Sequence, residues 1–482
     1  MSKKLTFLDK TFWITESEDN PKHVATIQLL KMPANADNDY VDKLLAQMRS
    51  FEQATAPFNC RVKRVLGYPV KFVPVEQLDM QYHVQLHTID DLSDRPSLDN
   101  FVASLHEPWL DRDKPLWQYH LIKDHNTEQF AIYIKIHHMC GDGSTLIRWF
   151  QAGYSQSPEP NEFTPVWAMD RSQKTRPKPP FFKAVFGGLW DMLIATKDLV
   201  WILCRLLFKL LRINQNYMPL PFSGTKTVLT GQVKKGRAVA TLNMDFGRIQ
   251  KLSKRLRASA NEVMLSVFDI AVHQQLSDYG QTFEKALYTN MPINLRKAGE
   301  VSYGNQIAIV PVELAHGQTD PYLRLREIIA NHRIVTKAAK ASHPASFSYY
   351  TLLIQSYATL FEMLGLSNWV KPIANLLVSN MPGPRETMYF KDSQLLASYP
   401  ISTITPGGGV NITMVSYQGQ ANIGFVCCNQ NINSLEPLAQ YCIEAFDMLE
   451  QCIDDPSLNI EDIGERVNEE HVSIVEDGSF HH

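Results

Sequence analysis

The stretch "IHHMCGDGST" (Ile136–Thr145) gathers side chains suited to acid–base chemistry. His137 and His138 stand side by side, and Asp142 and Gly143 follow closely. An imidazole titrates near neutral pH, so a histidine held in one tautomer can take a proton from a weak nucleophile. Asp142 could give that support, by bonding a histidine or by pinning the turn through an arginine. Gly141 and Gly143 let the backbone turn sharply. Two other readings stand beside the general base. One is a metal site using both histidines, Cys140 and Asp142; the other is a packed or solvated pair. Adjacent strand histidines point to opposite faces and no second cluster completes a coordination shell, so no metal is expected.

The elements around the cluster decide which histidine faces inward. In the preceding run "FAIYIKI", Phe130, Ile132, Ile134 and Ile136 share one face at strand period, and His138 continues it. His137 falls with Tyr133 and Lys135 on the opposite face. "KHVATIQLLKM" (Lys22–Met32) reads as another strand and "YVDKLLAQMRSF" (Tyr40–Phe51) as a helix. "DNFVASLHEPW" (Asp99–Trp109) begins as a helix and should stop before Pro108. From Phe246 to Gly280 two helices are expected, joined near Ser259–Asn261, and Ser434–Ile453 reads as a late amphipathic helix. Strands are expected at Gln306–Leu314, Ala374–Met381, Gly408–Gln420 and Ala421–Gln430.

With 482 residues the chain exceeds what one core usually supports, so two domains are expected. Residues 1–155 form the first and 234–482 the second. Between them, 156–233 holds a Pro-rich linker and the apolar stretch Phe181–Asn214. On a helix, the charges Asp191, Asp198, Arg205, Lys209 and Arg212 of that stretch fall within an arc of roughly 60°. Such a helix is buried in the protein or lies at a membrane surface. The formal net charge of -3 gives no basic field for nucleic acid. Seven scattered cysteines without CxxC spacing read as reduced thiols. The N-terminus lacks a signal peptide's apolar core, and no uncharged run of about eighteen apolar residues appears, so no spanning helix is expected.

"HHMCGDG" matches the HHxxxDG motif of the acyltransferase superfamily that includes chloramphenicol acetyltransferase and the condensation domains of nonribosomal peptide synthetases. The rest of the chain resembles one branch, the bacterial wax ester synthase/diacylglycerol acyltransferase family. The segments that carry this are "FLDKTFW" with Asp9, "LDRDKPLW" with Pro115, Leu116 and Trp117, "NMPINLR" with Asn294 and Arg296, "GNQ" at Gly304–Gln306, "VSNMPGP" with Asn380, Pro382 and Gly383, and "GVNITMVSYQG". They follow in order along nearly the whole chain. One departure is that Asn261 is followed by Glu262, where the family has Asn-Asp; the carboxylate is kept one methylene further out.

The resemblance implies an α/β (α+β sandwich) fold of two chloramphenicol-acetyltransferase-like domains with the active-site channel between them. It implies transfer of a long-chain acyl group from acyl-CoA, a substrate and not a cofactor, to a long-chain alcohol or a diacylglycerol. His138 would be the general base, supported by His137, Asp142 and Gly143. Oxyanion donors would come from Asn261, Asn294, Asn380 or the backbone near Gly408. Arg296 would pair with Asp142 or touch substrate. Asp9, Pro115, Leu116, Trp117, Pro382 and Gly383 would shape the site. No metal or covalent intermediate is required. The expected location is cytoplasmic, at the periphery of the inner membrane or of lipid inclusions. Two alternatives are a condensation-like acyltransferase using carrier-bound donors and a non-catalytic binding protein of lipid droplets or membranes.

Overall fold

The computed structural model describes residues 5–125, 128–141, 143–159, 163–169, 181–282, 285–294, 307–316 and 320–454. The first half opens with α1 (Phe7–Thr15), β1 (His23–Lys31), α2 (Tyr40–Ser50), the hairpin β2 (Cys60–Val65) and β3 (Tyr68–Pro74), and α3 (Met80–His83). It continues with β4 (Val84–Thr88), α4 (Arg95–His106), β5 (Trp117–Lys123), β6 (Gln129–His137) and α5 (Gly143–Ala152). Helix α6 (Phe181–Leu210) leads to β7 (Arg237–Asp245), α7 (Phe246–Arg255), α8 (Ala260–Asp278), β8 (Tyr288–Asn294), β9 (Ile307–Glu313), α9 (Pro321–Lys340) and α10 (Pro344–Met363). The chain then forms β10 (Leu376–Pro382), β11 (Tyr389–Phe390), β12 (Ser393–Ile401), β13 (Val410–Tyr417), β14 (Gln420–Cys428) and α11 (Glu436–Ile453).

Among the described residues these strands build two six-stranded sheets, in the orders β11-β12-β1-β6-β5-β4 and β7-β14-β13-β10-β8-β9. The expected strands and helices appear with shifted ends. Helix α4, for instance, starts four residues before Asp99, because Pro96 fits its first turn. Strands β11 and β12 belong to the second half in sequence, yet they pair in the first sheet. β12 lies antiparallel to β1, with Ile27 opposite Tyr399. A cut at residue 234 therefore separates β1 from its own hydrogen-bonded neighbour.

The two sheets meet where β14 passes β12. A Cβ on Gly424 would sit 2.0 Å from the carbonyl oxygen of Pro400, so only glycine lets the strands approach. Helix α4 fills the space behind the first sheet, and its buried Asp99 accepts from the N–H of Thr241 in β7 at 2.8 Å. Three cores result. One is centred on β6 and Trp117, one on the second sheet with α8 and α11, and a smaller one under α4 contains Val239 and Val426 of the second sheet.

Candidate active site

Strand β6 ends at His137, but the ladder continues one step further: the N–H of His138 donates to the carbonyl of Lys22 at 2.8 Å. The period-2 expectation for the pair therefore holds. His138 lines a channel of about 690 Å³ between the two sheets. One wall comes from Val24, Thr26 and Gln28 of β1 and Ser398 and Pro400 of β12. The other comes from Ser379, Asn380 and Met381 of β10 and Thr413 and Val415 of β13. Helices α1, α5 and α10 close the sides through Phe12, Leu146, Thr351 and Gln355, among others. The Phe12 ring stacks on His138 with centroids 4.1 Å apart and planes 15° from parallel. Asp9 holds this helix in position. Its carboxylate accepts from Thr6 N–H at 2.9 Å while Thr6 Oγ1 accepts from Asp9 N–H at 3.1 Å, a reciprocal cap on the first turn.

His137 points the other way and is fully buried. Its Nδ1 accepts from the N–H of Met139 at 3.0 Å, which leaves Nε2 facing Glu16 Oε1 at 3.4 Å. Glu16 is a hub that "TESEDN" does not reveal. It also accepts from Lys22 N–H at 3.0 Å and from Arg112 Nη2 at 2.9 Å. Burial pushes the Glu16 carboxyl up, but His137, the Lys22 N–H and Arg112 outweigh it and hold the group at about 2. Arg112 lies over the Trp13 ring at 4.4 Å and the Trp109 ring at 4.7 Å. The "LDRDKPLW" segment thus braces the strand end that carries both histidines. The carbonyl of Leu116 accepts from His137 N–H at 3.0 Å, and the carbonyl of Pro115 accepts from Trp117 N–H at 3.0 Å. The Trp117 indole is buried and donates to Phe58 O at 2.8 Å.

Gly143 opens α5 and lines the channel, with Met381 Sδ of β10 lying 3.2 Å from where its Cβ would be. Asn380 reaches the channel from the second sheet and donates through Nδ2 to Asn261 Oδ1 at 2.5 Å. Pro382 lines the channel, and Gly383 is needed beside it because a Cβ there would sit 2.2 Å from Ser416 O. Asp142, Arg296 and Gly304–Gln306 lie outside the described residues, as does the side chain of Asn294. The loop at Gly408 differs from its expected use as a backbone donor. Gly407 N–H donates to Glu362 Oε2 at 2.9 Å, Gly408 N–H to Thr405 O at 3.0 Å, and Gly409 N–H to Leu229 O at 2.8 Å. Gly408 bonds within its own turn, while Gly407 and Gly409 tie the loop to α10 and to the segment at Leu229. Glu262 turns away to cap α8: its carboxylate accepts from Ser259 N–H at 2.7 Å and meets His332 Nδ1 at 3.0 Å. Among the described residues, no cluster of three or more His, Cys, Asp or Glu side chains is placed to hold a metal ion.

Comparisons with known proteins bear on the family and the fold. The sequence profile "Wax ester synthase/diacylglycerol acyltransferase catalytic domain" matches residues 5–264, and that of the "WS/DGAT C-terminal domain" matches 303–450. The "O-acyltransferase WSD" of Acinetobacter baylyi is 26% identical over 450 residues, covering 92% of this chain and 96% of that protein. The solved "Wax ester synthase/diacylglycerol acyltransferase from Marinobacter aquaeolei VT8" superposes with a TM-score of 0.73 at 24% identity, covering 93% of this chain and 99% of that one. The first condensation domain of the CDA synthetase superposes at 0.56 with 14% identity, covering 96% and 98%. The mixed α/β fold is therefore the two-domain arrangement of condensation domains, and the chain belongs to the wax ester synthase/diacylglycerol acyltransferase family of acyltransferases.

Proposed function

We propose that this acyltransferase moves a long-chain fatty acyl group from acyl-CoA to the hydroxyl of a long-chain alcohol or a diacylglycerol, with His138 as the general base. The observation that carries this reading is His138 facing a largely apolar channel walled by both sheets. A neutral alcohol is a weak nucleophile, and His138 would take its proton as oxygen attacks the thioester carbon. His137, held between Met139 N–H and Glu16, fixes the backbone from which His138 projects. Incubating the purified protein with palmitoyl-CoA and either hexadecanol or dipalmitoylglycerol tests the reading. Wax ester or triacylglycerol is the expected product, and its absence with both acceptors from folded protein would overturn the proposal.

Asn380 supplies the amide of the second sheet that reaches the same channel, and Asn261 orients it. We expect Asn380→Ala to lower kcat by about tenfold, the worth of one neutral hydrogen bond. Asn261→Ala should lower it in the same direction, and the double variant should be no worse than Asn380→Ala alone. Additive losses in kcat measurements would contradict a shared role.

Neutral-lipid acceptors reside in membranes or droplets, and one face of the molecule suits such a surface. Among the described residues no helix is long and apolar enough to cross a membrane. Helix α6 packs on α10 and the second core through Ala195, Ile202 and Leu206, and Asp198 accepts from His343 N–H at the start of α10 at 2.8 Å. That leaves Leu193, Trp201 and Leu207 of the helix exposed, and Leu360, Met363 and Trp369 at and after the end of α10 are exposed too, Trp369 to 80%. Lys197 and Arg205 on the helix, and Arg212 in the turn after it, are exposed and complement anionic headgroups. The double variant Trp201→Ser/Trp369→Ser should bind anionic phospholipid vesicles at least ten-fold more weakly, from about 1–2 kcal/mol of lost burial per ring. Activity on a short, water-soluble alcohol should stay unchanged. Unaltered vesicle flotation would remove the docking assignment.

A further inference from the structure

Lys22 is an unexpected side chain for a neutral-lipid channel. It is 4% exposed, it lines the channel, and its ammonium donates to Ile404 O at 3.2 Å. An ammonium carries three N–H donors, and no other described residue accepts from this one. Its position follows from register. His23 pairs with His137 across β1 and β6, so the next step along the same ladder sets Lys22 opposite His138. The His138 N–H bond to Lys22 O confirms that the pairing runs that far. Lys22 also shares its face with Val24, Thr26 and Gln28, all of which line the channel. Side chains of directly opposed residues on one face start about 5 Å apart, which is within reach of a single reacting group.

A buried cation is expensive to keep unless something in the protein or a ligand needs it. The charges that act on it are Glu362 of α10, Arg237 of β7 and Glu16. Neither carboxylate is placed against the ammonium. Glu362 accepts from Asn20 Nδ2 at 2.8 Å and from Gly407 N–H, and Glu16 is committed to His137 and Arg112. Among the described residues of the first sheet that line the channel, Lys22 is the charged donor on the face of His138.

We propose that the Lys22 ammonium binds the carbonyl oxygen of the acyl thioester and holds the oxyanion that forms there. The assignment rests on the acyl-transfer reading above. In the step, His138 takes the hydroxyl proton as the alcohol oxygen bonds to the thioester carbon. The C=O π pair moves onto oxygen, and Lys22 N–H donates to it. Collapse reforms C=O and breaks C–S, and the departing thiolate takes the proton from the His138 imidazolium. The donor acts on charge that develops only in the transition state, so its loss falls on kcat more than on KM.

Burial lowers the Lys22 ammonium first; Glu362 and Glu16 oppose this, Arg237 adds to it, and the group comes to about 8. The cation is therefore present at neutral pH and disappears as pH rises through that value. The test measures ester formation by wild type, Lys22→Met and His138→Ala between pH 6 and about 9.5, a span that brackets the lysine. Lys22→Met should lose about 10²-fold in kcat at pH 7 with KM for palmitoyl-CoA little changed. The wild-type decline above pH 8 should vanish in this variant, while its thermal midpoint is kept or raised. If Lys22→Met keeps wild-type kcat, or loses kcat but retains the alkaline decline, the lysine merely props the Ile404 segment and the assignment falls. If wild type forms no ester, or His138→Ala forms as much as wild type, the acyl-transfer reading itself fails and takes the Lys22 role with it.

Discussion

His138→Ala should lower kcat by roughly 10²–10⁴-fold, the usual range for removing a positioned general base. KM for acyl-CoA should change little, and the folded state should persist. The reason lies in how differently the two histidines are held. His138 projects into the channel against the Phe12 ring, so trimming it enlarges a space that is already open. His137 is fully buried, and its two ring nitrogens meet Met139 N–H and Glu16. His137→Ala should therefore lower the thermal midpoint sharply, with activity falling along with folded protein. Paired melting curves and kcat values for the two variants separate the roles. A His138→Ala enzyme with near-normal kcat would remove the general base from the account.

Glu16→Ala should destabilise the protein by about 3 kcal/mol, because it leaves the buried His137 ring and the Arg112 guanidinium without their anion. The pH dependence follows from the direction of the shift. The carboxyl sits at about 2 in the folded protein against an ordinary 4.5, so the unfolded chain binds more protons across that interval. The stabilisation is complete above about 4.5 and is lost as pH falls toward 2. Glu16→Gln should flatten this acid limb in urea unfolding measured from pH 6 downward. An unchanged acid limb would mean that the pair contributes nothing in solution. Activity should fall as well, since Glu16 also accepts from the N–H of Lys22, whose carbonyl in turn holds His138.

What the sequence made legible was local periodicity. The alternation of Phe130, Ile132, Ile134 and Ile136 aimed His138 at the channel before any contact was known, because strand parity survives a ladder that frays one residue early. The junction of α7 and α8 near Ser259–Asn261 was legible for the same local reason. Pairings between distant segments were not legible. "SQLLASYPI" is absent from the strands expected above, and nothing in it names β1 as its partner, so its place in the first sheet is visible only in the structure. Glu16 looks like an ordinary charged residue of an exposed turn, and Lys22 like the solvated first residue of a strand. Their burial depends on Arg112 and Ile404, which are far away in sequence. Lys22 did carry one usable signal, the parity it shares with Val24, Thr26 and Gln28. The Gly407–Gly409 N–H groups, expected near the oxyanion, meet Glu362, Thr405 and Leu229, and two of those partners lie far away in sequence where no local pattern announces them.

The most direct test of the central claim is the stoichiometry of thiol released to ester formed. Purified protein would receive palmitoyl-CoA with hexadecanol or dipalmitoylglycerol and no carrier protein, and free thiol and lipid product would be counted in the same samples. The account predicts one ester per thiol, no release without an acceptor, and loss of both in His138→Ala. Thiol release without ester would make the channel a thioesterase site, and neither product from folded protein would contradict acyl transfer from coenzyme A.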